Sequence, residues 1–135
     1  MICIWDNGGE YSDHGVYYFD CSTIAPDVVR EALAVMGGSV VGFVEPVGEW
    51  KKECLASLPK FLADNVGYRA TAALQVDPVV AKMPKAERME YATILRAYAG
   101  GARQSAEGRD RRFADEAVAR AEAFEARAAR LEAIP

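Results

Sequence analysis

Apolar residues recur along this chain with a period that changes several times, and each change marks an element. Ile2 to Trp5 and Val16 to Phe19 are β-branched and aromatic runs separated by DNGGEYSDHG. They predict two antiparallel strands joined by a long loop, with Asn7-Gly8 as a turn signal. Alternation puts Tyr17 and Phe19 on one face of the second strand and Val16 and Tyr18 on the other, so one set enters the core and the other serves as contact anchors. Ile24, Val28, Ala32, Val35 and Met36 then trace one face of a helix. Ser22 or Thr23 caps it, Pro26 sits in its first turn and Gly37-Gly38 stops it. Val40 to Val44, bounded by those glycines and Pro46, is a third strand.

Further along, Trp50, Cys54, Leu58, Phe61 and Leu62 form a helical stripe that Pro59 either kinks or restarts after Ser57, and Gly67 ends it. Between Tyr68 and Val76 the signals conflict. Tyr68, Ala70, Ala72, Leu74 and Val76 alternate as in a strand while the alanines favour helix, and the alternation points to a fourth strand. Asp77-Pro78 makes a short turn. Pro84 opens a helix whose buried face is Tyr91, Ile94, Leu95 and Tyr98, stopped or bent at Gly100-Gly101.

The most strongly periodic stretch is Arg109 to Ala133. On a heptad, Ala114, Ala121 and Ala128 share one seam position and Ala117, Phe124 and Leu131 the other, with Glu116 placed to pair with Arg120 one turn on. The fold class that follows is α+β: a small antiparallel sheet from the N-terminal hairpin and the 40–44 strand, packed against helices, with a C-terminal helical hairpin. The 135 residues suit one domain, with a strand-bearing part over 1–76 and a helical part over 77–135.

Composition changes this picture little. No apolar run reaches the roughly 20 residues of a membrane span, and MICIWDNGG lacks a basic secretory n-region, so a cytoplasmic protein is expected. Cys3, Cys21 and Cys54 are too widely spaced for a zinc knuckle and read as buried thiols, with Cys3 and Cys21 neighbours across the hairpin. The net charge of -4 hides an asymmetry: residues 1–29 carry Asp6, Glu10, Asp13, Asp20 and Asp27 with no Lys or Arg, while Arg88, Arg96, Arg103, Arg109, Arg111 and Arg112 crowd 88–112. Either these two surfaces face each other or one of them meets a partner.

The string DNGGEYS, Asp6 to Ser12, resembles the segment around one catalytic aspartate of retroviral-type integrases. Their two-metal chemistry needs another aspartate well upstream, for which the five residues before Asp6 leave no room, so the resemblance implies no nuclease. The loop still gathers Asp6, Glu10, Asp13 and His14, without the alternating ligands of an EF-hand, and no metal or other cofactor is expected. As an enzyme, the chain would use Cys21 or Ser12 as nucleophile, His14 as base and Asp13 or Asp20 to orient it. Neither glycine pair has a phosphate-loop pattern, and the acids interleaved through Arg103 to Arg112 make nucleic acid a poor ligand.

The favoured function is therefore a small non-enzymatic interaction module that binds another protein. In its sharpest form it is an acidic inhibitor or regulator of nucleic-acid machinery, because carboxylates imitate phosphates. Its contact residues are Asp6, Glu10, Tyr11, Asp13 and Tyr18 in the hairpin and Ala121, Phe124, Ala128 and Leu131 on the last helix. The alternative is a small enzyme centred on Asp6 to His14. Helix lengths of roughly 24 Å for Pro84 to Ala99 and roughly 38 Å for Arg109 to Ala133 leave an overhang of roughly 14 Å, which either the N-terminal sheet or a second copy in a homodimer would cover.

Overall fold

The computed structural model describes residues 1–8, 15–46 and 55–135. The expectations for Glu10, Tyr11, Ser12, Asp13 and His14, and for Trp50 and Cys54 of the helical stripe, lie outside the described residues. Strands β1 (Ile2–Asp6), β2 (Val16–Asp20) and β3 (Ser39–Val44) form an antiparallel sheet in the order β2-β1-β3, with helix α1 (Pro26–Met36) between the second and third. Helices α2 (Leu58–Val66), α3 (Ala70–Val80), α4 (Lys85–Ala106) and α5 (Arg111–Glu132) complete an α+β fold that ends in a helical pair.

The sheet follows the alternation of its strands. Cys3 opposes Phe19 and Phe43, and Trp5 opposes Tyr17 and Val40, so these side chains share the core face. There Trp5, Tyr17, Phe19 and Phe61 of α2 interlock, with ring centroids 5.1 to 6.4 Å apart. The indole N–H of Trp5 donates to the Gly37 carbonyl at 3.1 Å. A bulge between Ile4 and Trp5 leaves Val41 of β3 without an opposite residue, and Val41 stands exposed. Gly38 is a glycine of necessity: its φ is +63°, and a Cβ there would lie 2.2 Å from the Asp6 carbonyl oxygen.

Local sequence explains most helix ends. Pro26 opens α1 from Ala25, without a side-chain cap; Ser22 bonds Asp20 instead, and the Thr23 hydroxyl donates to Glu87 at 2.5 Å. Pro59 restarts the chain as a helix after Ser57, whose hydroxyl accepts from the Lys60 N–H at 3.3 Å. Asp110 caps α5 by accepting from the Arg112 N–H at 3.1 Å. At the other end of α5, Arg88, 4% exposed, donates to the carbonyls of Leu131 at 3.2 Å and Ile134 at 2.9 Å. A cation thereby meets the negative end of the helix dipole.

Three expectations about helix boundaries change. The stretch 68–76 holds no fourth strand: helix α3 runs from Ala70 to Val80 and buries Ala72, Ala73, Val76, Val79 and Val80, a helical spacing that the alternation concealed. Pro78 lies inside it, so the Leu74 carbonyl lacks its helical donor. Next, α4 does not stop at Gly100-Gly101. It continues to Ala106, with Ala99 buried, Ala102 packed on the core and Arg103 paired with Glu125 of α5, contacts that offset the roughly 1 kcal/mol cost of each helical glycine. Consequently α4 and α5 are both 22 residues long, and the length difference that motivated a homodimer does not exist.

The heptad seam of α5 holds from its second turn on. Ala117, Ala121, Phe124, Ala128 and Leu131 are buried, Ala114 is only partly so, and the contact between α4 and α5 is the most extensive between described elements. The predicted pairing of Glu116 with Arg120 gives way to Arg112–Glu116 at 3.9 Å. Among the described residues, Arg96 and Arg103 of the basic stretch pair not with the acidic hairpin but with Glu132 and Glu125, both on α5.

Candidate functional site

Of the hairpin residues proposed for contact or chemistry, Asp6, Tyr18, Asp20 and Cys21 are among those described. Asp6 accepts from the Gly8 N–H at 2.9 Å and so shapes the turn. Tyr18 is partly exposed on the sheet face that Ile4 shares, opposite the aromatic cluster. Cys21 is buried against Cys3 and donates its thiol hydrogen to it. That bond lowers the Cys3 thiol from its ordinary range, with burial opposing and Arg30 helping, and it raises Cys21 together with burial. A nucleophilic cysteine needs the reverse, a thiolate within reach of solvent, so the catalytic role considered for Cys21 has no support in its surroundings.

The C-terminal helix carries a second set of groups that the seam does not use. Arg120, Ala123, Arg127 and Arg130 recur at i, i+3, i+7 and i+10 and so form a stripe beside the seam. On α3, Ala70, Leu74, Asp77 and Ala81 recur at i, i+4, i+7 and i+11 and make the opposing wall. Between them lies an open apolar cavity of about 380 Å³ lined by Tyr68, Leu74, Ala123 and Phe124 with Arg120, Arg127 and Arg130. A second hollow of about 300 Å³ adjoins it, sharing Leu74, Asp77, Arg127 and Arg130 and reaching Pro78, Leu131 and Ile134. The walls are held apart rather than packed together. Leu74 is 78% exposed and Tyr68 65% exposed, a large apolar surface for a helical protein to leave in water.

One ion pair fixes the floor of this groove. Arg127 grips Asp77 through Nε at 2.7 Å and Nη2 at 3.0 Å, and its Nη1 donates to the Gly67 carbonyl at 2.8 Å. The Tyr91 hydroxyl of α4 donates to Asp77 at 2.7 Å, which joins three helices at one carboxylate. Burial lowers the Arg127 guanidinium, but the bonds to Asp77 more than compensate and its pKa lies above the ordinary arginine value. Burial and the Asp77 charge together raise the Tyr91 phenol. The guanidinium of Arg127 also sits 5.6 Å from the Phe124 ring centroid, and Tyr68 meets Phe124 edge-on at 5.4 Å and Tyr98 at 4.2 Å.

Arg120 and Arg130 are exposed at either end of the groove and form no ion pair among the described residues. The larger cavity is therefore an apolar trough whose α5 wall begins and ends on an unused cation. Of the residues expected to bind a partner, Phe124 lines the larger cavity and Leu131 the adjoining hollow, though both are largely buried, whereas Ala121 and Ala128 are enclosed within the chain. Tyr68, Leu74, Asp77, Arg120, Arg127 and Arg130 were not anticipated as site residues. The available signals were the arginine stripe at i, i+7 and i+10 and the helical spacing of the alanines and valines in 72–80.

Comparison of the chain with models of protein families, with curated proteins and with solved structures finds no match.

Proposed function

We propose that this chain is a small protein-interaction module that performs no chemistry of its own and receives its partner in the groove between α3 and α5. The observation that carries this reading is the pair of exposed side chains, Leu74 and Tyr68, beside a hollow floored by an ordered Arg127–Asp77–Tyr91 network. A rigid floor with apolar walls left in water suits binding, because little ordering cost remains to be met when a partner arrives. The rival enzyme reading drew on Asp13, His14 and Cys21, and Cys21 is buried with its proton held. The hairpin form of the binding hypothesis, an acidic regulator of nucleic-acid machinery, keeps Asp6, Tyr18 and Asp20 among the described residues.

The test is selection from an unbiased displayed peptide library on the wild-type protein, with counter-selection on a Leu74→Asp variant shown by circular dichroism to be folded. Peptides retained by the wild type and lost on the variant support the groove. Retained peptides that ignore Leu74→Asp but are lost on Tyr18→Asp place the working surface on the hairpin and overturn the proposal.

A further inference from the structure

The groove also specifies the form of what fits it, an inference that rests on the binding role proposed above. Arg120 and Arg130 are ten residues apart on α5, which corresponds to about 15 Å along the axis at about 1.5 Å per residue. Between these cations the lining is Tyr68, Ala70, Ala73, Leu74, Ala123 and Phe124. Asp77, the carboxylate within the lining, is neutralised by Arg127. The vacant electrostatic positions are therefore two, both positive, one at each end of an apolar trough.

We propose that the occupant is an amphipathic helix of a partner protein, about three turns long, with apolar residues at i, i+3 or i+4, and i+7 and a carboxylate at each end of that stripe. Each element of this description answers a feature of the trough. Arg120 and Arg130 call for two anions about ten residues apart on a helix, a demand that a fatty acid or another ligand with a single carboxylate cannot meet at both ends. An extended segment would bring a row of backbone N–H and C=O groups against apolar walls. The bond-deficient Leu74 carbonyl beside Pro78 offers such a row one acceptor, not a ladder. A helix satisfies its own backbone and presents only side chains, and a groove between two helices receives it as a third helix of a bundle. The apolar anchors enter around Leu74 and Phe124, while Arg120 and Arg130 set direction and register.

Two displayed libraries of helix-forming peptides test this, each with the same apolar stripe. One carries glutamates at both ends of the stripe and the other carries lysines. Enrichment of the glutamate library on the wild type is expected. Binding of its best members, read by fluorescence anisotropy, should weaken about tenfold on an Arg120→Glu, Arg130→Glu variant, since two favourable pairs become repulsive. The lysine library should enrich on that variant, and a proline placed in the middle of a winning peptide should abolish binding. If Leu74-dependent peptides appear equally in both libraries, or survive the proline, the helical acidic occupant is wrong while the groove remains the binding site. If neither these libraries nor the unbiased one yields a peptide that depends on Leu74, the binding role of the groove falls as well.

Discussion

Where α5 meets α4 its surface is Ala117, Ala121 and Ala128 with Phe124 and Leu131 between them, and where it meets α3 it is Arg120, Ala123, Arg127 and Arg130. The first face is closed. Small residues let the backbones approach, the two large ones fill the remaining space, and Arg96–Glu132 and Arg103–Glu125 close the rim. The second face is open: arginine side chains and a half-buried ion pair stand between α3 and α5, and Leu74 reaches no cover. One helix thus shows how the same periodic register serves two purposes. Alanine at a seam spends the face on folding, whereas arginine beside an apolar wall leaves the face available for a partner.

The largest effect that would sharpen this contrast comes from placing one charge on each face. Ala128→Glu puts a carboxylate at a position with 0% exposure, out of reach of water. The expected cost is about 4 kcal/mol, most of the stability of an ordinary domain. Leu74→Asp, on the open face, should change stability by about 0.5 kcal/mol or less. Urea unfolding followed by circular dichroism measures both. Equal destabilisation by the two substitutions would mean that the groove is a packed interface and would erase the distinction drawn here.

The next effect tests whether the groove floor holds the open face in place. Asp77 and Arg127 are 20% and 15% exposed, so removing one partner strands the other in a poorly solvated site. Asp77→Asn should therefore cost about 3 kcal/mol, and replacing both residues by leucine should cost much less. The diagnostic quantity is that difference, measured by denaturant unfolding of the single and double variants. A floor that merely decorates the surface would show neither loss nor recovery.

How far the sequence anticipated these two faces depends on what each one needed. The seam was legible because it is a property of one helix, and its heptad alone put Ala121, Phe124, Ala128 and Leu131 on a buried stripe. The three strands and their antiparallel pairing were legible for the same reason, as runs of β-branched and aromatic residues punctuated by glycine, whereas the order β2-β1-β3 was not. The groove is hidden because it needs two elements, and the alternation in 68–76 points to a strand where α3 forms. With Leu74 placed by a period of two, its position next to Arg127 cannot be seen. The end of α4 was misjudged because Gly100-Gly101 weakens a helix locally, while the force that carries the helix through them comes from α5. Within the basic stretch, Arg88, Arg96 and Arg103 take their roles from tertiary partners, the carbonyls at the end of α5, Glu132 and Glu125, which a linear count of charges does not reveal.

The smallest effect lies where the two faces join. Tyr98 of α4 packs against Tyr68 at the groove rim and against Phe124 at 5.7 Å, and its hydroxyl donates to Asp64 at 3.1 Å. Burial, followed by the bond to Asp64 and that residue's negative charge, pushes its phenol up to about 12 from the model-compound value of 10.0. The sign follows from linkage. A group whose pKa is higher in the folded state binds its proton more tightly there, so its contribution is complete below pH 10.0 and disappears as the pH rises through about 12. Wild-type protein should lose part of its stability across that alkaline window, and Tyr98→Phe, which cannot ionise, should lose less of it. Alkaline unfolding curves for the two proteins, with phenolate absorbance recorded in parallel, measure the difference. If the two curves coincide, the Tyr98 hydroxyl is not held by Asp64, and Tyr68 at the groove rim rests on its ring contacts alone.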